Sequence, residues 1–201
     1  MAIVDRIKGI CLKPKDEWQA IEGESTSAAD LLKSYALPLA AIGAVAGFIG
    51  MSFIGISVPF IGSIRTPIAS GVIRAVVQLA IALVVVYVLG LIIDALAPKF
   101  GAQPNKSQAL KVAVYSSTPG WIAGVLGILP SLGILTLIAS CYGIYVMYLG
   151  LMQLMKAPKE KAVMYTVVII ACAVGLMIVT GLVLGAFAGA GMMATGAAGL
   201  R

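Results

Sequence analysis

Val112–Met155 reads VAVYSSTPGWIAGVLGILPSLGILTLIASCYGIYVMYLGLMQLM, an apolar block without a single charged residue. A helix crosses the hydrocarbon of a bilayer in about 20 residues, so this block is too long for one crossing. Pro130, followed by Ser131 and Gly133, divides it into halves at 112–129 and 131–155. Three further runs, Leu37–Val58, Ala75–Leu96 and Val163–Ala190, are each long enough to span. The expected fold class is therefore all-α. It is a polytopic integral membrane protein, a five-transmembrane-helix bundle with spans at about 37–58, 75–96, 112–129, 131–155 and 163–190 and a short amphipathic cytosolic N-terminal segment. Five crossings place the termini on opposite sides.

The charges give this map an orientation. Arg6, Lys8, Lys13, Lys15 and Lys33 precede the first span, Lys99, Lys106 and Lys111 separate the second and third, and Lys156, Lys159 and Lys161 separate the fourth and fifth, eleven in all on one face. The other face receives only Arg65, Arg74 and the terminal Arg201. The positive-inside rule then predicts a cytoplasmic N-terminus and an outer C-terminus.

Composition agrees, because 61% hydrophobic and 11% charged residues over 201 positions exceed what a soluble domain covers with polar surface. The net charge of +6 implies no nucleic-acid site, since the basic residues cluster near span ends, where they serve topology and anionic headgroups. The first apolar run begins after more than thirty mixed residues, so the reading expects no cleavable signal peptide and gives the first span the role of insertion signal. The expected partners are the lipid bilayer, with anionic headgroups at the cytoplasmic face, and a membrane-protein partner or a second copy of the chain.

Histidine is absent, which removes histidine metal ligands, the common triads and the usual proton shuttle. Cys11 lies in the cytosolic segment and Cys141 and Cys172 fall mid-span, so no disulfide is expected. No catalytic, cofactor-binding or metal site is expected, and a membrane enzyme finds no acid–base pair or activated nucleophile.

Three regions follow: a cytosolic interfacial lead-in at 1–32, a membrane domain at 33–190 and a short outer Gly-rich tail at 191–201. In the lead-in, Ile3, Val4, Ile7, Ile10 and Cys11 recur at offsets of three and four, the pattern of a one-sided helix that lies in the headgroup layer or packs on the bundle. Pro14 ends it, and Trp18 and Ile21 share a face of the next turns. Trp18 beside charged residues reads as an interfacial anchor, or alternatively as part of a partner-binding motif. Ser27 and Asp30 have the spacing of a capping box, which starts the first span's helix near Ala28, and Pro38 should bend its entry.

Within the spans, small residues recur at four-residue spacing: Gly43 with Gly47, Gly120 with Gly124, Ala139 with Gly143, Gly181 with Gly185, and Gly185 with Gly189. These suit close helix packing within the bundle or self-association. Asp94 is the one acidic residue inside a span. It reads as an interfacial ion pair with Lys111 or Lys156, or as a substrate or ion site. Arg74 and Gln78, four apart, share a helix face at the outer end of the second span. Tyr142, Tyr145 and Tyr148 form a stripe that either packs or lines a cavity. Span three is about 27 Å long as a helix and carries Pro119, so it should be kinked. Because the turn around Pro130 is apolar, a re-entrant hairpin stays open beside two full crossings.

The pattern resembles the Yip-domain family, whose founding eukaryotic members are Rab-interacting membrane proteins, and especially its short bacterial branch. The resemblance rests on five spans, the lead-in Pro14–Ile21 with Trp18, the run ALKVAVYSSTP from Ala109 to Pro119, Pro130, the Tyr- and Gly-rich fourth span to Leu149-Gly150-Leu151, and APKEKA from Ala157 to Ala162. It implies an all-helical membrane domain without catalytic residues and, for the bacterial branch, the cell inner membrane. The eukaryotic Asp-Leu-Tyr-Gly-Pro motif is reduced here to Asp30-Leu31 followed by Leu32-Lys33-Ser34, so prenylated Rab binding does not carry over. Tyr115, Ser116 and Pro119 resemble the family's second motif and are carried over as a structural or partner-binding kink. The expected function is non-enzymatic organisation of membrane partners or lipids, with Asp94, Trp18, Tyr115, Ser116, Pro119, Arg74 and Gln78 as candidate residues. The alternative is a small transporter or channel for an ion, small solute or lipid.

Overall fold

A computed structural model describes the backbone of residues 3–58, 62–129 and 132–198. The lead-in folds as two short helices, α1 (Ile3–Leu12) and α2 (Pro14–Glu22). Pro14 separates them and occupies the first turn of α2, where its missing N–H costs nothing. Ser27 then caps the next helix, its side chain accepting from the Asp30 N–H at 3.1 Å, and a continuous helix runs from Ala28 to Ile54.

That helix is not uniform. After α3 (Ala28–Leu31) it widens into a π turn over Leu32–Ala36, continues as α4 (Leu37–Ile49) and ends in a second π turn over Gly50–Ile54. Pro38 explains the first π turn. It cannot donate to the carbonyl four residues back, and its ring excludes that carbonyl, so the backbone loosens one turn earlier instead of kinking sharply. Gly55, at φ 80°, stops the helix and leads into a small antiparallel hairpin, β1 (Ile56–Val58) against β2 (Gly62–Ile64). The all-α expectation thus holds for the helical architecture but not for this connection, where Ile56–Val58 pairs with Gly62–Ile64.

α5 (Ile68–Leu96) passes into a 3-10 turn over Ala97–Phe100, closed by Gly101 at φ 71°. Next come α6 (Lys106–Ser116), capped by Asn105, and α7 (Thr118–Ala123) with a 3-10 extension over Gly124–Ile128. α8 (Gly133–Leu154) and α9 (Lys159–Ala198) complete the chain. α9 continues through 191–198, where the sequence suggests a tail. Pro130 and Ser131 of the expected hairpin turn, and Arg201, lie outside the described residues.

Among the described residues, four helices are long and apolar enough to cross a membrane: Ala28–Ile54, Ile68–Phe100, Ile134–Leu154 and Lys159–Leu182. The segment expected as span three is not an unbroken helix. It breaks at Ser117, two residues before Pro119, because the proline removes one N–H and its ring displaces the carbonyl a turn earlier. The Ser117 hydroxyl donates to the Ala113 carbonyl at 2.8 Å and closes the last turn of α6.

Glycines set how closely the segments approach. A Cβ at Gly124 would lie 2.9 Å from the Gly43 Cα, and Gly127 faces Gly47, so α4 and the broken segment pack backbone to backbone. Gly143 does the same for α8 beside the break, where a Cβ would lie 2.7 Å from the Ser116 carbonyl oxygen. By contrast, Gly181 and Gly185 of α9 face open space, as does much of that helix, with Met177, Ile178 and Leu182 exposed. The buried core sits at the lead-in end, where Ile10, Ile21, Leu39, Ile93, Val112, Leu151 and Tyr165 come together.

Candidate functional site

The lead-in does not float on the bundle; it is built into it. Trp18 is 1% exposed, and its indole N–H donates to the Val146 carbonyl of α8 at 3.0 Å. A Cβ at Gly150 would lie 2.7 Å from the Trp18 ring, so this glycine makes the socket. The reading of Trp18 as an interfacial anchor is therefore corrected. With its one polar atom satisfied by a helix carbonyl, the whole ring gains from leaving solvent.

Arg6, one of the eleven cations assigned to the cytoplasmic face, is not solvated there: it is 5% exposed between α1 and α2. It donates to Glu17 at 2.5 Å, pairs with Glu24 through its other terminal nitrogen and lies 5.6 Å from the centroid of the Tyr115 ring. Gly9 permits this approach, since a Cβ there would overlap the Glu17 carboxylate. Burial opposes the Arg6 charge, but the hydrogen bond to Glu24 and the facing carboxylates outweigh it and raise its pKa. A signal was present: Arg6 lies three residues after Ile3 and four before Ile10, on the apolar face of α1.

Lys111 is 2% exposed and donates to the Ile21 carbonyl at 3.1 Å and to that of Glu24. A cation there meets the partly negative C-terminal end of α2. Burial lowers its pKa. Gln108 reaches the Glu22 carbonyl at 3.3 Å, and the Glu22 carboxylate accepts from Gln153 at 2.5 Å and pairs with Lys156. These contacts correct a second expectation. Lys111 and Lys156 are both engaged by the lead-in, and neither reaches Asp94, one of whose carboxylate oxygens is buried without a partner among the described residues.

Tyr115 is the hub. Its ring meets Trp18 edge-on at 6.1 Å between centroids and Tyr35 of the first span's helix at 4.8 Å. The Tyr35 hydroxyl lies 3.0 Å from the Thr118 hydroxyl, immediately after the break. Ser116 and Pro119 are buried beside it, the Ser116 hydroxyl without a partner among the described residues. A cavity of about 570 Å³ lined by Arg6, Glu24, Ser25, Tyr35 and Tyr115 opens next to this cluster.

The structure thus gathers Trp18, Tyr115, Ser116 and Pro119 into one assembly and leaves the other candidates apart. Arg74 and Gln78 share a face, as their spacing requires, and line a separate cavity of about 140 Å³ with Ser52 and Thr66. Twenty residues of α5, roughly 30 Å of helix, separate Arg74 from Asp94. The tyrosine stripe divides: the Tyr142 hydroxyl donates to the Cys11 carbonyl at 3.0 Å, whereas Tyr145 is 44% exposed. Chemically, the assembly holds ion pairs, capped carbonyls and edge-to-face rings, which brace the lead-in against the bundle.

Comparison with known proteins agrees with a membrane-embedded chain. The inner membrane protein YohC of Escherichia coli strain K12 is 24% identical over 166 residues, covering 81% of this chain and 85% of its own length. The protein of the same name from E. coli O6:H1 strain CFT073 matches to the same extent. No solved structure matches the chain. The family model described as Yip1 domain matches residues 8–182, a stretch that takes in most of the lead-in, the broken segment and the apolar helices. The chain is an integral membrane protein of the Yip1 domain family.

Proposed function

We propose that this protein is a non-enzymatic organiser of membrane partners or lipids, acting from the cytoplasmic side of the bacterial inner membrane. The observation that carries the reading is the docked lead-in. Trp18, Arg6 and Lys111 fix two amphipathic helices over the break in the third segment, making a preformed, multi-element surface at one end of the bundle. Eleven of the basic residues belong to that end, which supports a cytoplasmic N-terminus and an outer C-terminus. The inner-membrane assignment follows the name of the E. coli relatives.

Five crossings belong to the same proposal. The broken segment follows α4 through Gly43, Gly47 and Gly50, and Gly50 lies only four residues before the end of that helix at Ile54. Its 3-10 portion rises about 2 Å per residue instead of 1.5 Å and so extends its reach. Reporter fusions after Ile128 and after Leu182 test this topology. Outer reporters active at both sites support five crossings, and an inactive reporter after Ile128 leaves a re-entrant hairpin.

The function is tested by affinity purification of the full chain from native membranes, with crosslinking, for the wild type and for Trp18→Ala and Pro119→Ala. The organiser reading expects a reproducible complex that both variants lose while remaining folded. A complex that persists in both variants overturns it.

A further inference from the structure

On the far side of α2 from Arg6, a groove of about 660 Å³ runs between α2, α8 and the start of α9. Its walls include Lys15, Gln19, Tyr145, Tyr148, Met152 and Lys159. We propose that this groove seats one anionic phospholipid, its phosphodiester held between Lys15 and Lys159 and its upper chains lying along Tyr145 and Met152. This rests on the organiser reading, which places the groove at the cytoplasmic membrane surface.

Charge is the first argument. Among the described residues, neither Lys15 nor Lys159 pairs with a carboxylate, while the neighbouring Lys156 is matched by Glu22 and the Gln153 amide is turned to that same carboxylate. The groove therefore keeps two uncompensated cations, with Gln19 on the Lys15 face of α2 one turn on. Position is the second. Lys159 opens an apolar helix, α8 ends at Leu154 just before it, and Tyr145 stands 44% exposed along the outer wall, so the groove joins a basic rim to a lipid-facing surface. Basic pockets between spans on the cytoplasmic side are suited to phosphate headgroups, and tyrosines sit well at that depth. A soluble anion would gain from the lysines alone; a phospholipid also covers the aromatic and methionine wall.

The test is native mass spectrometry of the delipidated full chain, titrated with phosphatidylglycerol and with phosphatidylcholine of the same acyl chains. Phosphatidylglycerol should bind at least tenfold more tightly. Lys15→Gln with Lys159→Gln should weaken it roughly thirtyfold, at about one tenfold or less per lysine, and bring it near phosphatidylcholine. Lys15→Arg with Lys159→Arg should retain it, and Lys13→Gln with Lys33→Gln, outside the groove, should change it less than threefold. The proposal is overturned if the paired glutamine variant binds like wild type, if the Lys13 and Lys33 pair matters equally, or if millimolar inorganic phosphate displaces the lipid. Thermal melting of every variant separates lost binding from lost fold. Absent lipid selectivity with an intact Trp18-dependent complex removes the seat and leaves the organiser reading standing; lipid selectivity together with a complex that persists in Trp18→Ala and Pro119→Ala does the reverse.

Discussion

Replacing Arg6 with Met should undock the lead-in, and the size of the effect follows from its two partners. The Glu17 side chain is 11% exposed and would stay behind as a nearly buried carboxylate without a counter-ion, whereas Glu24, at 37%, can return to water. Removing one member of a fully buried pair costs about 3–5 kcal/mol, and the exposure of Glu24 places this case near the lower end, about 3 kcal/mol. The contact with the Tyr115 ring lies within that figure. Cys11 offers the readout. Its carbonyl is held by Tyr142, and burial pushes its thiol pKa up, so the docked state is slow to react.

In a background with Cys141→Ala and Cys172→Ala, maleimide labelling of the partly exposed Cys11 has a slow docked-state component and a component that proceeds through local opening; the rate of the second tracks the opening equilibrium. Arg6→Met should accelerate it roughly a hundredfold. Removing both charges with Arg6→Met and Glu17→Met should return the rate to within about threefold of wild type, since a buried pair replaced by apolar groups is close to neutral. The cycle therefore expects a coupling of about 2 kcal/mol or more. A change below threefold in Arg6→Met, with unaltered helicity, would refute the claim that this ion pair holds the lead-in.

Gly150→Ala should push the Trp18 ring from its socket and destabilise docking by about 1–3 kcal/mol, read as a shift of Trp18 emission in a Trp121→Phe background, and Trp18→Phe should relieve part of it. Gly124→Ala should lower the melting temperature in detergent because α4 cannot retreat from a 2.9 Å contact, while Gly181→Ala, which meets open space, should leave it within error. The Glu22 pKa is lowered, first by the hydrogen bond from Lys156 and then by that from Gln153. Its stabilising contribution is thus present above the ordinary glutamate value of about 4.3 and lost as pH falls through the lower folded value. Both partners are partly exposed, so the effect is under about 1 kcal/mol; acid titration of tryptophan emission should show a midpoint that Lys156→Met raises, and an unmoved midpoint counts against the pair.

What could be read from the sequence was what depends on local chemistry. Ser27 and Asp30 announced a helix start, Pro14 a helix boundary, and the glycines of the first and third segments a close packing face. The apolar runs gave four long helices because span length is set by the bilayer rather than by partners. The misreadings of Trp18 and Lys111 concern partners distant in the chain. Trp18 meets Val146 across 128 positions, and Lys111 meets Ile21 across 90, and no local rule pairs them. Arg6 was misread for another reason: counting cations by face treats them as solvated, and a guanidinium with two carboxylates and a ring is not.

The placement of the lead-in has a cause in the backbone. At Ser117 the helix ladder is interrupted, and in lipid such backbone is tolerated only where protein or water covers it. α1 touches α7, Tyr115 before the break packs on Trp18, and Thr118 after it is bonded to Tyr35, so the lead-in and the first span's helix together enclose the interruption. The same contacts that dock the lead-in therefore shield the break. A partner that drew the lead-in away would expose polar backbone at Ser117 along with the Tyr115 ring, and that exposure would have to be met by the partner itself. Under the organiser proposal, a surface built this way would join two conditions, an available lead-in and a matching group for the opened segment, and so would discriminate by more than the apolar face of α1 alone.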